Sequence, residues 1–110
     1  MNIFDIYIAF VSWGSGGKRR PVLVLDKNAG GAVVFNITTH YFDKNEKIRA
    51  KYFIINDWQQ AGLDRQSYID TNNTITVPLT AVDSKKRIGR LSLLDEKRLI
   101  EFVNQLQKQT

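Results

Sequence analysis

The first apolar stretch of the chain has a period of two. Ile6, Ile8 and Phe10 alternate with Tyr7, Ala9 and Val11. β-Branched and aromatic residues at that spacing predict a strand. A second strand is predicted over Pro21–Leu25, "PVLVL", with the proline at its first position, where a missing N–H is tolerated. The turn residues "DKNAGG" follow, and Ala32–Thr39, "AVVFNITT", reads as a third strand paired with the second across that short turn. Lys51–Ile55, "KYFII", reads as a fourth. Ser67–Ile69 and Thr74–Val77 are short strand pieces on either side of the polar "DTNN", and Arg87–Leu91 is a last strand.

Helical spacing is confined to two places. In "NDWQQAGL", Asn56 or Asp57 is a candidate N-cap and Gly62 a stop, which predicts one or two helical turns. Near the C-terminus, Ser92 with Asp95 three residues on resembles a capping box. Leu99, Phe102, Val103 and Leu106 then recur at i, i+3, i+4 and i+7, one face of a helix. His40 to Arg49 is polar and charged and predicts a mobile loop or an irregular hairpin. There is no internal repeat. The pattern predicts a mainly β fold with a C-terminal helix, in which short antiparallel strands form a small curled sheet or barrel. With 110 residues, the chain fits one domain, 1–110.

Composition narrows the partners. Sixteen Lys and Arg against eleven Asp and Glu give a net charge of +5, which favours an anionic partner. Cysteine is absent and His40 is the only histidine, so thiolate metal sites and two-histidine acid/base pairs are excluded. No metal and no cofactor is expected. "MNIFDIYIAF" lacks a basic start and a cleavage-type site, so it does not read as a signal peptide. No run approaches the ~20 apolar residues of a membrane span. The expected location is the cytoplasm, with no membrane partner.

The stretch "GSGGKRRPVLVLD", Gly14 to Asp26, sets glycines before three cations and a strand. A phosphate-binding P-loop needs Ser12 to be glycine and Arg19 to be Ser or Thr, followed by a helix. The glycines therefore read as an open, movable loop over Ser12–Arg20.

Several elements occur in a telling order. An acidic residue, Asp5, stands near the start of the first strand, and the glycine-bearing loop follows. "RRPVLVL", "VVFNITT", "DTNNTI" and "IGRLS" then lead into an amphipathic helix. This order, over essentially the whole chain, resembles the PemK/MazF family of toxin ribonucleases. The resemblance implies a small SH3-like barrel of antiparallel strands with a helix, usually dimeric. It implies metal-independent endoribonuclease activity on single-stranded RNA, leaving 2′,3′-cyclic phosphate and 5′-hydroxyl ends. An acidic antitoxin protein would inhibit it by lying across the active groove. By the same resemblance Arg20 and Thr38 belong to the catalytic centre, and Asp70 matches an acidic residue of the PemK branch. Where that branch carries a second arginine, two residues before Asp70, this chain has Tyr68. The same barrel also serves non-catalytic modules, such as CcdB-like gyrase binders, and this remains the alternative.

The residue types suit the chemistry. Attack of a ribose 2′-hydroxyl on its own phosphate needs positioning, charge stabilisation and management of two protons. The Arg20 guanidinium is always charged and bidentate towards phosphate, or else a surface cation. Thr38 is a hydrogen-bond donor or a structural strand residue. Thr39 points to the opposite face, and a register error would exchange the two. Asp70 takes a proton, orients Arg20 or caps a turn. Lys18 and Arg19 contact phosphates or are solvated. Trp13 stacks on a base or covers the barrel mouth. His40 is an RNA-contacting base or a loop residue. Lys85, Lys86, Arg87 and Arg90 form a second basic patch or a solvated hairpin.

Overall fold

The computed structural model describes residues 1–109 and, within them, every side chain except those of residues 83–85. The strands are β1 (Asp5–Trp13), β2 (Gly16–Asn28), β3 (Gly31–Thr38), β4 (Tyr52–Ile54), β5 (Tyr68–Val77) and β6 (Val82–Arg90). Two helices accompany them, the single turn α1 (Glu46–Arg49) and the C-terminal α2 (Leu93–Lys108). All pairings are antiparallel, in one sheet of order β4-β5-β3-β2-β1-β6. Alternation sends Ile6, Leu23, Phe35, Ile37, Phe53 and Ile69 to one side, where Leu99, Phe102 and Val103 of α2 cover them. Burying a side chain such as Leu99 contributes about 1.5–3 kcal/mol. The intervening positions, Tyr7, Ala9, Val11, Val22, Val24 and Val34, form a second core on the other side with Val77 and Val82.

That second core exists because the sheet curls. The 3₁₀ turn Leu79–Ala81 joins β5 directly to β6, although three strands lie between them. In a flat sheet those strands would stand about 19 Å apart, whereas a 3₁₀ turn of this length rises only about 6 Å. The ladder nonetheless stays open, with β4 and β6 as its edges. The closed barrel expected from the resemblance is here a curled, unclosed six-stranded sheet.

Three local expectations need correction. Ser12–Arg20 is not an open loop: β1 and β2 continue as a ribbon to the pair Trp13↔Gly16, with Gly14–Ser15 as a two-residue turn. Gly14 has φ +45° and Ser15 keeps a negative φ, the sign pattern of a type II′ hairpin turn. Gly16 and Gly17 serve packing instead of mobility. A Cβ on Gly16 would stand 3.3 Å from the Trp13 Nε1, and one on Gly17 would stand 2.6 Å from the Phe10 ring. "DTNN" does not split β5 into two strands. It interrupts the β3 ladder between Asn36↔Asp70 and Val34↔Ile75, and Thr71 bonds to the Lys51 carbonyl instead. His40–Arg49 is not all irregular, because Asn45 caps α1 by accepting from the Ile48 amide.

The N-terminus of α2 meets the turns that follow β4. Ser92 caps α2 by accepting from the Asp95 amide at 3.1 Å. The Asp95 carboxylate does not complete a capping box. It accepts from the amides of Asn56 and Asp57 and from Arg98. Residues 56–62 form hydrogen-bonded turns and not the helix expected there. The Asp57 carboxylate accepts from the Ser92 hydroxyl, Asp95 accepts from the amides that open the turns, and they close at Gly62, φ +91°. No helix among the described residues is long and apolar enough to cross a membrane.

Candidate active site

β2 and β3 pair only as far as Val22↔Asn36. Beyond that point β2 follows β1 alone, and Pro21, which has no N–H to donate, stands where the β2–β3 ladder stops. The two strands splay and open a cleft of about 640 Å³. Register decides what faces it. Asn36 lies opposite Asp70, and Asp70 lies opposite Tyr52, so the three form one transverse row on one face. Thr38 is two residues along β3 from Asn36, and Arg20 is two along β2 from Val22, so both share that face.

The cleft is bordered by Lys18, Arg19, Arg20, Thr38, Thr39, His40 and Asp70. Each of these was a candidate from the sequence. Strand alternation sets Arg19, opposite Phe10, on the reverse face of the ribbon from Lys18 and Arg20. Trp13 does not border the cleft, but its indole lies beside Arg20. Sequence reasoning missed Tyr52, Asn36, Lys44 and Arg65, which also line it. A signal existed for Asn36, a lone amide inside the apolar run "VVFNI". Tyr52 carried none, because within "KYFII" it reads as one more strand hydrophobe.

Arg20 is half-buried and has no ion pair or hydrogen bond among the described residues, and its Nε is buried without a partner. The Oδ1 of Asn36 is likewise buried and unpaired. Such atoms cost about 1–3 kcal/mol each unless a ligand satisfies them. Asp70 accepts on Oδ1 from the Asn72 amide at 2.9 Å and from Asn72 Nδ2 at 2.8 Å. Its Oδ2 is not used in these bonds. Thr38 Oγ1 accepts from the His40 amide at 3.0 Å, which fixes the turn after β3 and leaves the hydroxyl proton free to donate. His40 Nδ1 stands 3.8 Å from Asp43. Burial pushes the Tyr52 phenol above its ordinary value, and Asp70 and Asp43 push it further, against a smaller opposing pull from Arg20. Asp70 and Arg20 thus both act on Tyr52. The cleft wall has five cations, Lys18, Arg19, Arg20, Lys44 and Arg65, against the carboxylates Asp64 and Asp70.

Arg87 and Arg90, half of the basic cluster read from the sequence, are both engaged by a buried carboxylate. They stand 3.2 and 3.4 Å from the carboxylate of Asp5, which is 1% exposed, and Arg90 also reaches Glu96. Their charge neutralises a buried acid. Lys86 is exposed, and the side chain of Lys85 lies outside the described residues. Among the described residues no three His, Asp or Glu side chains gather as metal ligands would.

No protein-family model matches this chain, and no curated protein matches it.

Proposed function

We propose that the cleft binds single-stranded RNA and cleaves it without a metal, by attack of a ribose 2′-hydroxyl on its own phosphate. The products are a 2′,3′-cyclic phosphate and a 5′-hydroxyl. The observation that carries this reading is Arg20, a guanidinium with no carboxylate partner among the described residues, bordering the same cleft as Thr38 and Asp70. A charge left unpaired and half-buried is available for the extra negative charge of a five-coordinate phosphorus. Thr38 donates to a phosphate oxygen, and Asp70 takes the 2′-hydroxyl proton. The surplus of cations along the wall draws in the sugar–phosphate chain. The order of elements that resembles the PemK/MazF family favours the same chemistry. With it come a homodimer, an SH3-like arrangement of the curled, open sheet, a cytoplasmic setting, and an acidic antitoxin segment that competes for the same cations.

The test is incubation of the purified chain with a long single-stranded RNA in EDTA, followed by mapping of fragment ends. Cyclic-phosphate and 5′-hydroxyl termini are expected, and intact RNA in the presence of folded protein overturns the reading. One observation favours binding without cleavage. Tyr68, at the place of the second arginine in PemK-branch relatives, is buried and stacked on Tyr41 at 4.4 Å. Stoichiometric RNA binding without fragments is the result that would support that second reading.

A further inference from the structure

We infer that Tyr52 is the proton donor to the leaving 5′-oxygen, an inference that rests on the cleavage reading of the cleft. Tyr52 lies directly opposite Asp70 across the β4–β5 ladder and borders the cleft. The residue is only 7% exposed, yet its hydroxyl is not among the fully buried unpaired atoms, as expected for a phenol whose ring packs in the sheet and whose oxygen opens onto the cleft. The charged groups around it come from three segments. Asp70 faces it from β5 and Arg20 from β2, and Asp43 acts from the segment that also sets the Tyr41 ring 6.2 Å away. His40 and Lys44 lie further round the cleft. Burial and the two carboxylates keep the phenol protonated at neutral pH.

The proton balance closes on these residues. Asp70 takes the 2′-hydroxyl proton as the 2′-oxygen bonds to phosphorus. The bond from phosphorus to the 5′-oxygen breaks, its electron pair stays on that oxygen, and the oxygen takes the phenolic proton. An alkoxide is a far stronger base than a phenolate, so the transfer runs downhill even from a weakened phenol. The phenolate then regains a proton from the Asp70 carboxylic acid, its neighbour across the ladder, and both groups return to their starting states.

The experiment compares native protein and Tyr52→Phe on one RNA and on the same RNA carrying a bridging 5′-sulfur at the cleaved phosphate. A thiolate leaves without a proton. Tyr52→Phe should lose about 10²–10⁴-fold on ordinary RNA and stay within several-fold of native on the sulfur-bridged RNA. Arg20→Ala should be slow on both. Tyr52→His, which restores a proton donor, should recover part of the ordinary activity. Equal losses for Tyr52→Phe on the two RNAs, or no loss on ordinary RNA, overturn the inference while the cleavage reading stands. A native protein that cleaves neither RNA overturns both.

Discussion

The guanidinium carbon of Arg20 lies 5.7 Å from the centre of the Trp13 ring. Trp13 sits opposite Gly16, and the missing side chain there lets the indole lie across the ribbon towards Arg20. Among the described residues Arg20 is therefore oriented by a ring and not by a carboxylate, a contact worth about 0.5–1 kcal/mol at an exposed site. Its full charge stays available to an anion.

Arg20→Ala should reduce RNA cleavage by roughly two to three orders of magnitude, the usual loss on removing one group that stabilises transition-state charge. Melting should barely change, because Arg20 has no ion-pair partner among the described residues. Arg20→Lys should restore little, since an ammonium cannot make the bidentate contact. Rates on a fixed RNA, with circular-dichroism melts of each variant, check this. A near-native rate for Arg20→Ala would return the residue to a surface role.

Lys18→Ala combined with Arg19→Ala should weaken RNA binding and flatten its dependence on salt. Each lost phosphate contact removes about 0.9 from the log–log slope for duplex DNA and about 0.7 for single strands. Titrations at several salt concentrations read the slope directly. An unchanged slope would mean that RNA runs along a different part of the cleft.

Acid stability should depend on Asp5. Burial alone would raise its pKa, but the Asn2 amide and the charges of Arg87 and Arg90 outweigh it and hold the carboxyl below its ordinary value. A depressed folded pKa contributes stability that is complete above the unfolded value, about 3.9. That contribution is lost as pH falls through the folded value. Asp5→Asn should therefore be less stable than native at neutral pH, by about 1–3 kcal/mol. The gap should narrow as pH falls below the ordinary aspartate range. Urea unfolding at neutral and acid pH measures it, and a gap that does not change with pH would contradict the assignment.

Asp95→Ala should be among the more costly polar substitutions in the chain. Asp95 is fully buried, and removing it leaves the amides of Asn56 and Asp57 and the Arg98 guanidinium without their acceptor. A loss of about 3–5 kcal/mol is expected, as for breaking a buried pair by removing one partner. Chemical denaturation gives the value, and a loss under 1 kcal/mol would show that water replaces the carboxylate.

Arg20, Thr38 and Asp70 were singled out by the order of elements that resembles the PemK/MazF family, whereas periodicity along the chain determined the mainly β class and the C-terminal helix with its Ser92 cap. These are local signals, because a strand's alternation and a helix's first turn are written within a few adjacent residues. Local pattern records which face a side chain takes but not which strand lies opposite. Only the tertiary structure placed Asn36, Asp70 and Tyr52 in one row, because that row joins three strands through pairings that no short window contains. The same reason hid the roles of Arg87 and Arg90, whose partner Asp5 is 82 and 85 residues away. It also hid Asp95, which caps a turn 38 and 39 residues before it. The glycines of the opening hairpin were visible as glycines. That they make room for Trp13 and Phe10 was decided by ring packing across the ribbon, which composition does not encode.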